Sequence, residues 1–230
     1  MQPGELAVGL ARELRNPLHI IRGAAEILAS LTQTRGGRAY ARQGCQEIVE
    51  EVDRIDRLLA DLLHYAAPVE PDHGATSELS ALLHSVRGPI EEDARCSILV
   101  RGAPSGECQL RVAMASEHTR ALLYYLLRYA ALAASERGLV SVSMGCREGA
   151  VYLDISHDGR LVDNAQLPEL LQPFAVPSGA SGLDLAIAHR LVSLYDGRLT
   201  LRAGATQVLR LQSPAVPTPR TLTLRYTPKR

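Results

Sequence analysis

The sequence lacks several features that define other classes of protein. It has no tryptophan, one phenylalanine, and four cysteines that show no C-x-x-C spacing. No apolar run approaches the roughly 20 residues that span a bilayer, and no charged segment followed by an apolar one opens the chain. The 25 basic residues equal the 25 acidic residues, so no overall field favours nucleic acid or an anionic membrane. We therefore expect a protein of the reducing cytoplasm that binds no nucleic acid and does not insert into a membrane.

The sequence does contain enough aliphatic area to form a core. Hydrophobic residues make up 46% of the 230 residues, and leucine, valine, isoleucine and alanine supply the apolar area that aromatic residues do not. A chain of this length forms one large domain or two small ones. The order of the hydrophobic patterns along the chain favours two.

Two apolar seams with helical spacing occupy the first third of the chain. Each recurs at alternating intervals of four and three residues, which is typical of helices that pack on other helices. The first seam is Ala7, Ala11, Leu14, Leu18, Ile21, Ala25 and Leu28, and the second is Ala41, Cys45, Ile48, Val52, Ile55, Leu59, Leu62 and Ala66. The polar stretch 32–37 separates them. We predict an antiparallel helical hairpin that pairs with a second copy as a dimeric four-helix bundle, because one hairpin cannot cover both seams.

The rest of the chain alternates helical and strand-like patterns. A linker-like stretch lies at 67–74, and Ser77 and Ser116 are the predicted N-caps of two helices. Strand-like runs lie at 96–101, 109–112, 139–146, 150–156, 198–202 and 207–211, with a third helix at 183–195. This order predicts an α+β sandwich. The proline-rich tail also alternates at 220–226, which is compatible with an edge strand.

Three motifs resemble those of bacterial sensor histidine kinases. The segment Arg12–Leu18, R-E-L-R-N-P-L, resembles the H-box H-E-L-R-N-P-L. Leu171–Phe174 resembles the F-box, and Ser181–Ile187, S-G-L-D-L-A-I, resembles the second glycine box T-G-L-G-L-A-I. The resemblance implies a dimerisation and phosphotransfer-like hairpin at 1–67, a sandwich of the histidine-kinase ATP-binding (Bergerat) type at 75–212, and a proline-rich tail at 213–230.

The H-box differs from the family at its phosphorylated residue. Arg12 stands at the position of the phospho-acceptor histidine. A guanidinium group stays protonated and has no free lone pair, so it cannot form a phosphoramidate. We therefore expect no autophosphorylation at this position.

The motif that resembles the N-box, N-L-L-x-N-A, is altered as well. Tyr125 and Tyr129 replace the two asparagines that the resemblance assigns to magnesium and phosphate. A phenol is a poor magnesium ligand, and its ring is large enough to fill the space of the ion.

The two glycine boxes carry four further changes. In the first, His157 replaces the aspartate that accepts from the adenine amino group, and Leu161 replaces a glycine. In the second, Ala180 and Asp184 replace glycines, and Asp184 adds a negative charge where a helix N-terminus would hold phosphates. We therefore predict a degenerate site that binds no ATP and no other cofactor.

The sequence leaves three functions open. The first is a pseudokinase that binds a receiver domain or another kinase through Arg12, Arg15 and His19. The second is a phosphatase of phosphorylated receiver domains that uses Glu13 and Asn16, although such residues are more often a surface charge and a helix-kink residue. The third is a phosphotransfer protein with His19 as acceptor, although a lone histidine on a helix is more often structural. The other histidines have no metal-ligand spacing, so we expect no metal site. The joint loss of acceptor and nucleotide residues favours the first function.

Overall fold

The fold is taken from a computed structural model. The residues it describes are 3–31, 38–101, 110–135, 137–147, 150–159, 168–174, 182–202 and 207–214. The chain divides into two compact units. Unit 1 comprises Met1–Val69 and Ala165–Ile187, and unit 2 comprises Glu70–Asn164 and Ala188–Arg230.

Unit 1 is built on the predicted helical hairpin. Helix α1 spans Pro3–Leu31 and helix α2 spans Arg38–Ala66. Their contact buries Ala24 and Leu58, and Leu28 of α1 lies against Gly44 of α2. The hairpin is thereby confirmed, and no helix in the described ranges has both the length and the apolar character to cross a membrane.

Unit 2 contains a five-stranded sheet with helices on one side. Its elements in chain order are β1 (Ser77–Glu78), α3 (Leu79–Ala94), β2 (Ser97–Arg101), β3 (Arg111–Val112), α4 (Ser116–Ala133), β4 (Leu139–Arg147), β5 (Ala150–His157), β6 (Arg198–Arg202) and β7 (Gln207–Pro214). A 3₁₀ turn at Glu169–Leu171 lies in unit 1, and helix α5 (Asp184–Leu194) begins in unit 1 and ends in unit 2.

The sheet is mixed. Its strand order is β2-β4-β5-β7-β6, in which β2 and β4 are parallel and every other pair is antiparallel. Strands β1 and β3 form a separate antiparallel pair. Residues of β5 are alternately buried and half-buried, so one face of the sheet meets α4 and the other is more open. The predicted α+β architecture is confirmed.

The linker after α2 is attached to unit 2. The backbone N–H of Asp72 donates to the hydroxyl of Tyr195, 3.2 Å away, and this hydroxyl lies 2.6 Å from Nδ1 of His118. Tyr195 is buried at the end of α5. The short stretch 70–74 therefore has a fixed position on unit 2.

Two predicted helix caps are wrong. Glu78, not Ser77, caps α3, because its carboxylate accepts from the N–H groups of Ser80 and Ala81. Ser77 pairs with Val112 in the β1–β3 ladder, and its side chain is buried against the hydroxyl of Thr119 at 2.7 Å. Helix α4 begins at Ser116 itself, so this residue is not its N-cap, and the preceding alanine provides no side-chain cap.

The cysteines differ among themselves. Cys45 is exposed and free, and Cys96 is buried and free. Cys146 on β4 is disulfide-bonded, which differs from the fully reduced state expected from the scattered cysteine positions.

We predict that Glu78→Ala lowers the free energy of unfolding by about 1 kcal/mol at neutral pH, because α3 loses its N-cap. Desolvation raises the pKa of Glu78, but hydrogen bonds from Ser80 and Ala81 and the charge of Arg111 bring it below 4.5 overall. The pKa of Glu78 is lower in the folded state than in the unfolded state. The stabilisation by the cap is therefore complete above the unfolded-state pKa and is lost as the pH falls through the folded-state pKa. Urea unfolding of both proteins at about pH 7 and about pH 3 tests this.

The matched control is Glu92→Ala, which removes an exposed carboxylate from the last turn of the same helix, far from the cap. It should change stability little at either pH. If Glu78→Ala lowers the free energy of unfolding as much in acid as at neutral pH, the charged carboxylate of Glu78 does not cap α3.

Candidate functional site

The outer face of α1 carries the H-box residues. Arg12, Arg15 and His19 lie three and four residues apart, so they share one side of the helix, and all three are exposed. Asn16 is exposed as well. This face therefore presents two guanidinium groups and an imidazole to solvent.

Glu13 has a different environment from its neighbours. It is half-buried on α1, and the positive charges that act on it are those of Arg54 on α2 and Arg12. Burial raises the pKa of the Glu13 carboxyl, and the two arginines only partly counteract the rise. Arg54 also lies 3.8 Å from a carboxylate oxygen of Glu51. Glu13 therefore belongs to a charge cluster between the two helices.

The N-box tyrosines are part of the core of unit 2. Tyr125 and Tyr129 are both buried on α4. The ring of Tyr129 meets the ring of His157 edge to face, with centroids 6.3 Å apart and planes at 75°. His157, the last residue of β5, is 1% exposed. The structure thus brings two of the predicted site residues into direct contact.

A buried arginine lies beside these tyrosines. Arg128 is 8% exposed, and its guanidinium carbon lies 5.1 Å from the ring centroids of both Tyr124 and Tyr125. It also donates to the Tyr124 hydroxyl at 3.2 Å. Such cation–π contacts strengthen when they are shielded from water. Sequence reasoning missed Arg128 and Tyr124, although their i, i+4 spacing on a helix was a usable signal.

The residues after His157 tie β5 to the end of α4. The carboxylate of Asp158 accepts from the N–H groups of Ser135 and Leu139, each at 3.3 Å. Desolvation raises the pKa of Asp158, but these hydrogen bonds bring it below its ordinary value. A side chain at Gly159 would collide with the carbonyl of Ala133, so the chain approaches α4 closely here. These contacts fix the position of His157.

Asp184 opens helix α5. It is in the first turn and 1% exposed, so a carboxylate lies at the positive end of the helix dipole. Leu161 and Ala180, the other predicted site residues, lie outside the described residues. Within the described ranges, no group of three or more histidine, cysteine and acidic side chains is arranged to hold a metal ion.

Comparison with protein families matches two segments of the chain. Residues 4–68 match the His Kinase A (phospho-acceptor) domain, and residues 115–215 match the histidine kinase-, DNA gyrase B-, and HSP90-like ATPase family. The sensor histidine kinase ZraS of Escherichia coli O157:H7 is 27% identical over 199 residues, which are 85% of this chain and 42% of that protein. Sporulation kinase C of Bacillus subtilis is 25% identical over 203 residues, which are 87% of this chain and 46% of that protein. The chain spans less than half the length of these relatives.

Solved structures share the fold. Histidine kinase ThkA, in complex with response regulator protein TrrA, has a TM-score of 0.73 and 18% identity, covering 94% of this chain and 63% of that one. Full-length ShkA in complex with AMPPNP has a TM-score of 0.62 and 21% identity, covering 95% of this chain and 48% of that one. At these identities the likeness concerns the architecture.

We predict that Tyr129→Ala lowers the free energy of unfolding by about 3 kcal/mol, because it leaves a cavity against His157 in the core of unit 2. Urea unfolding followed by circular dichroism measures the loss. Leu132→Ala is the control, since Leu132 lies on the same helix but is 40% exposed, and it should cost much less. Equal losses for the two variants would mean that Tyr129 is not packed as described.

Proposed function

This chain is a histidine-kinase-like protein, with a His Kinase A domain followed by an ATPase-type domain, and we propose that it is a pseudokinase that signals by binding another protein. The observation that carries the proposal is the arginine at position 12. It stands where the resemblance expects the acceptor histidine, and it is exposed on α1. A permanently protonated guanidinium cannot attack the γ-phosphate of ATP.

The buried rings of unit 2 support the loss of nucleotide binding. The resemblance assigns magnesium to the Tyr129 position and adenine to the His157 position, but here the two rings pack on each other. Neither ring can leave this contact without opening a cavity in the core. A phenol is also a poor replacement for the oxygen ligands that magnesium prefers, and an imidazole does not supply the carboxylate that the resemblance places against the adenine amino group.

Charged side chains also oppose the binding of Mg-ATP. The guanidinium of Arg128 lies in the same helical turn as Tyr125 and Tyr129, so a positive group is already present near the expected metal ligands. Asp184 places a carboxylate in the first turn of α5, where the resemblance expects phosphate. Its charge is favourable toward the helix dipole and unfavourable toward a triphosphate. The residues present therefore do not fit Mg-ATP.

The proposed partner is a response-regulator receiver domain or another kinase in two-component signalling, in the cytoplasm. Receivers have an acidic pocket, and the exposed Arg12, Arg15 and His19 would complement it electrostatically. The structural relative ThkA is seen with a response regulator, which supports a contact of this kind. Replacing histidine with arginine removes the chemistry and adds a permanent positive charge for docking.

A homodimer is part of the proposal. Large apolar side chains remain exposed along both helices of the single hairpin, namely Val8, Leu18, Ile20, Ile27, Val49, Val52, Leu59 and Leu63. Exposed apolar area of this extent is typical of an interface. A four-helix bundle of two copies would cover much of it.

The phosphatase and phosphotransfer functions remain the alternatives. Asn16 is exposed, but Glu13 is half-buried beside Arg54 and is less available to activate a water molecule. His19 is exposed on the partner face, so a displaced acceptor must be tested directly.

We predict that calorimetry with Mg-ATP detects no binding. We also predict that Arg12→His does not restore autophosphorylation, because the residues expected to bind nucleotide are altered independently of residue 12. A histidine kinase domain with both N-box asparagines serves as the positive control. A micromolar dissociation constant, about −8 kcal/mol, would contradict the proposal. Transfer of label from ATP to the Arg12→His protein would show that the arginine is the one defect.

We predict that Arg12→Glu weakens binding of a receiver domain at least tenfold, or about 1.4 kcal/mol, when purified receivers of the source organism are compared. The matched control is Arg42→Glu, which makes the same charge change at an exposed position on α2. Both variants should keep the scattering mass of a dimer. Unchanged affinity in Arg12→Glu would mean that the receiver binds another surface of the protein.

The same receivers, phosphorylated beforehand, distinguish the alternatives. A binding protein leaves the decay of the aspartyl phosphate unchanged. A phosphatase accelerates its release as inorganic phosphate, and a phosphotransfer protein acquires acid-labile label, which His19→Gln would abolish.

A further inference from the structure

The one phenylalanine of the chain packs directly on α1. Gly9 is buried although its neighbour Val8 is 62% exposed. A β-carbon placed on Gly9 would lie 2.5 Å from Cδ2 and 2.7 Å from Cβ of Phe174. Phe174 itself is 9% exposed, and both residues belong to unit 1. The ring therefore occupies a notch that exists because residue 9 has no side chain.

The backbone around Phe174 is strained. Phe174 has a φ of 57°, which is rare for an aromatic residue. Its N–H donates to the carbonyl of Gly182 at 2.8 Å, and Gly182 also has a positive φ, of 72°. Strained conformations persist where surrounding contacts hold them, and they are frequent in segments that switch. The notch at Gly9 supplies the contact that holds this one.

The notch adjoins the partner face proposed above. Gly9 precedes Arg12 by three residues, so the two are neighbours on one side of α1. A stable protein interface covers about 800 Å² on each partner, far more than one helical turn. A receiver whose footprint extends from Arg12 toward the N-terminus of α1 therefore meets the segment 168–174.

We propose that Phe174 and Gly9 form a latch, which holds residues 168–174 over the end of the partner face and opens when a receiver docks. The latch itself is independent of catalytic activity, whereas its effect on docking rests on the proposed function. A single ring in a notch is a small contact, and the strained φ lowers the cost of release. The latched segment thus competes with the partner for α1.

The latch can be observed through its one aromatic ring. Because Phe174 is the chain's only phenylalanine, protein labelled with 4-fluorophenylalanine gives one ¹⁹F resonance. Gly9→Ala should move this resonance toward its position in urea, because the added methyl group displaces the ring. Gly23→Ala is the matched control on the same helix, since a β-carbon there meets nothing within 4 Å.

Both substitutions favour helix, so α1 should stay folded, which circular dichroism verifies. An unmoved ¹⁹F resonance in Gly9→Ala would overturn the latch. So would an equal movement in Gly23→Ala.

The effect on docking is measured with the receiver that binds most tightly in the comparison above. Gly9→Ala and Phe174→Ala should each bind it at least threefold more tightly than the unaltered chain, and Gly23→Ala should not. Unchanged affinity in the two latch variants would refute competition. Failure of every receiver to bind any variant would refute the proposed partner, while the ¹⁹F result would still decide whether the latch exists.

Discussion

The packing of α4 on strands β4 and β5 is the contact on which the rest of unit 2 depends. Helix α4 contacts both strands, and fully buried aliphatic side chains lie on the helix and on the strands: Leu122, Leu123, Leu126 and Leu127 on α4, and Val140, Val142, Leu153 and Ile155 on β4 and β5. The same helix carries Tyr125 and Tyr129, and β5 ends in His157. Once the aliphatic core is formed, the aromatic contact follows from it, because neither element can move independently. Asp158 and Gly159 then join the end of β5 to the end of α4.

Much of the architecture could be predicted from hydrophobic spacing. The two helices of the hairpin, the β4–β5 pair and the closing pair of strands all follow from local periodicity and turn residues. The parallel pairing of β2 with β4 and the position of β7 beside β5 could not be predicted, because they join segments far apart in sequence. The prediction that Ser77 caps α3 was wrong for a related reason. Pairing of Ser77 with Val112 turns its side chain inward, and a local capping rule does not include such a partner.

The sequence motifs could name the positions of the candidate site, but they could not predict which of these residues contact each other. Motif resemblance identified Tyr129 and His157 as altered positions, but their mutual packing depends on the distance between α4 and β5. Arg128 occupies a position at which the motif specifies no residue, so the resemblance gave no reason to notice it. The role of Gly9 was hidden too, since its partner Phe174 lies 165 positions later in the chain. The roles of all the predicted site residues stay predictions, and Leu161 and Ala180 lie outside the described residues.

The strand order determines when each unit can finish folding as the chain is synthesised. Strand β5 lies between β4, which precedes it directly, and β7, which follows it only after α5 and β6. One edge of β5 therefore has no partner until β7 has also left the ribosome. The hairpin needs only the residues up to Ala66. Because synthesis proceeds from the N-terminus, the hairpin of a nascent chain can form well before its sheet is complete. The dimer assembly proposed for the hairpin can consequently begin on the polysome, between chains that are still being translated.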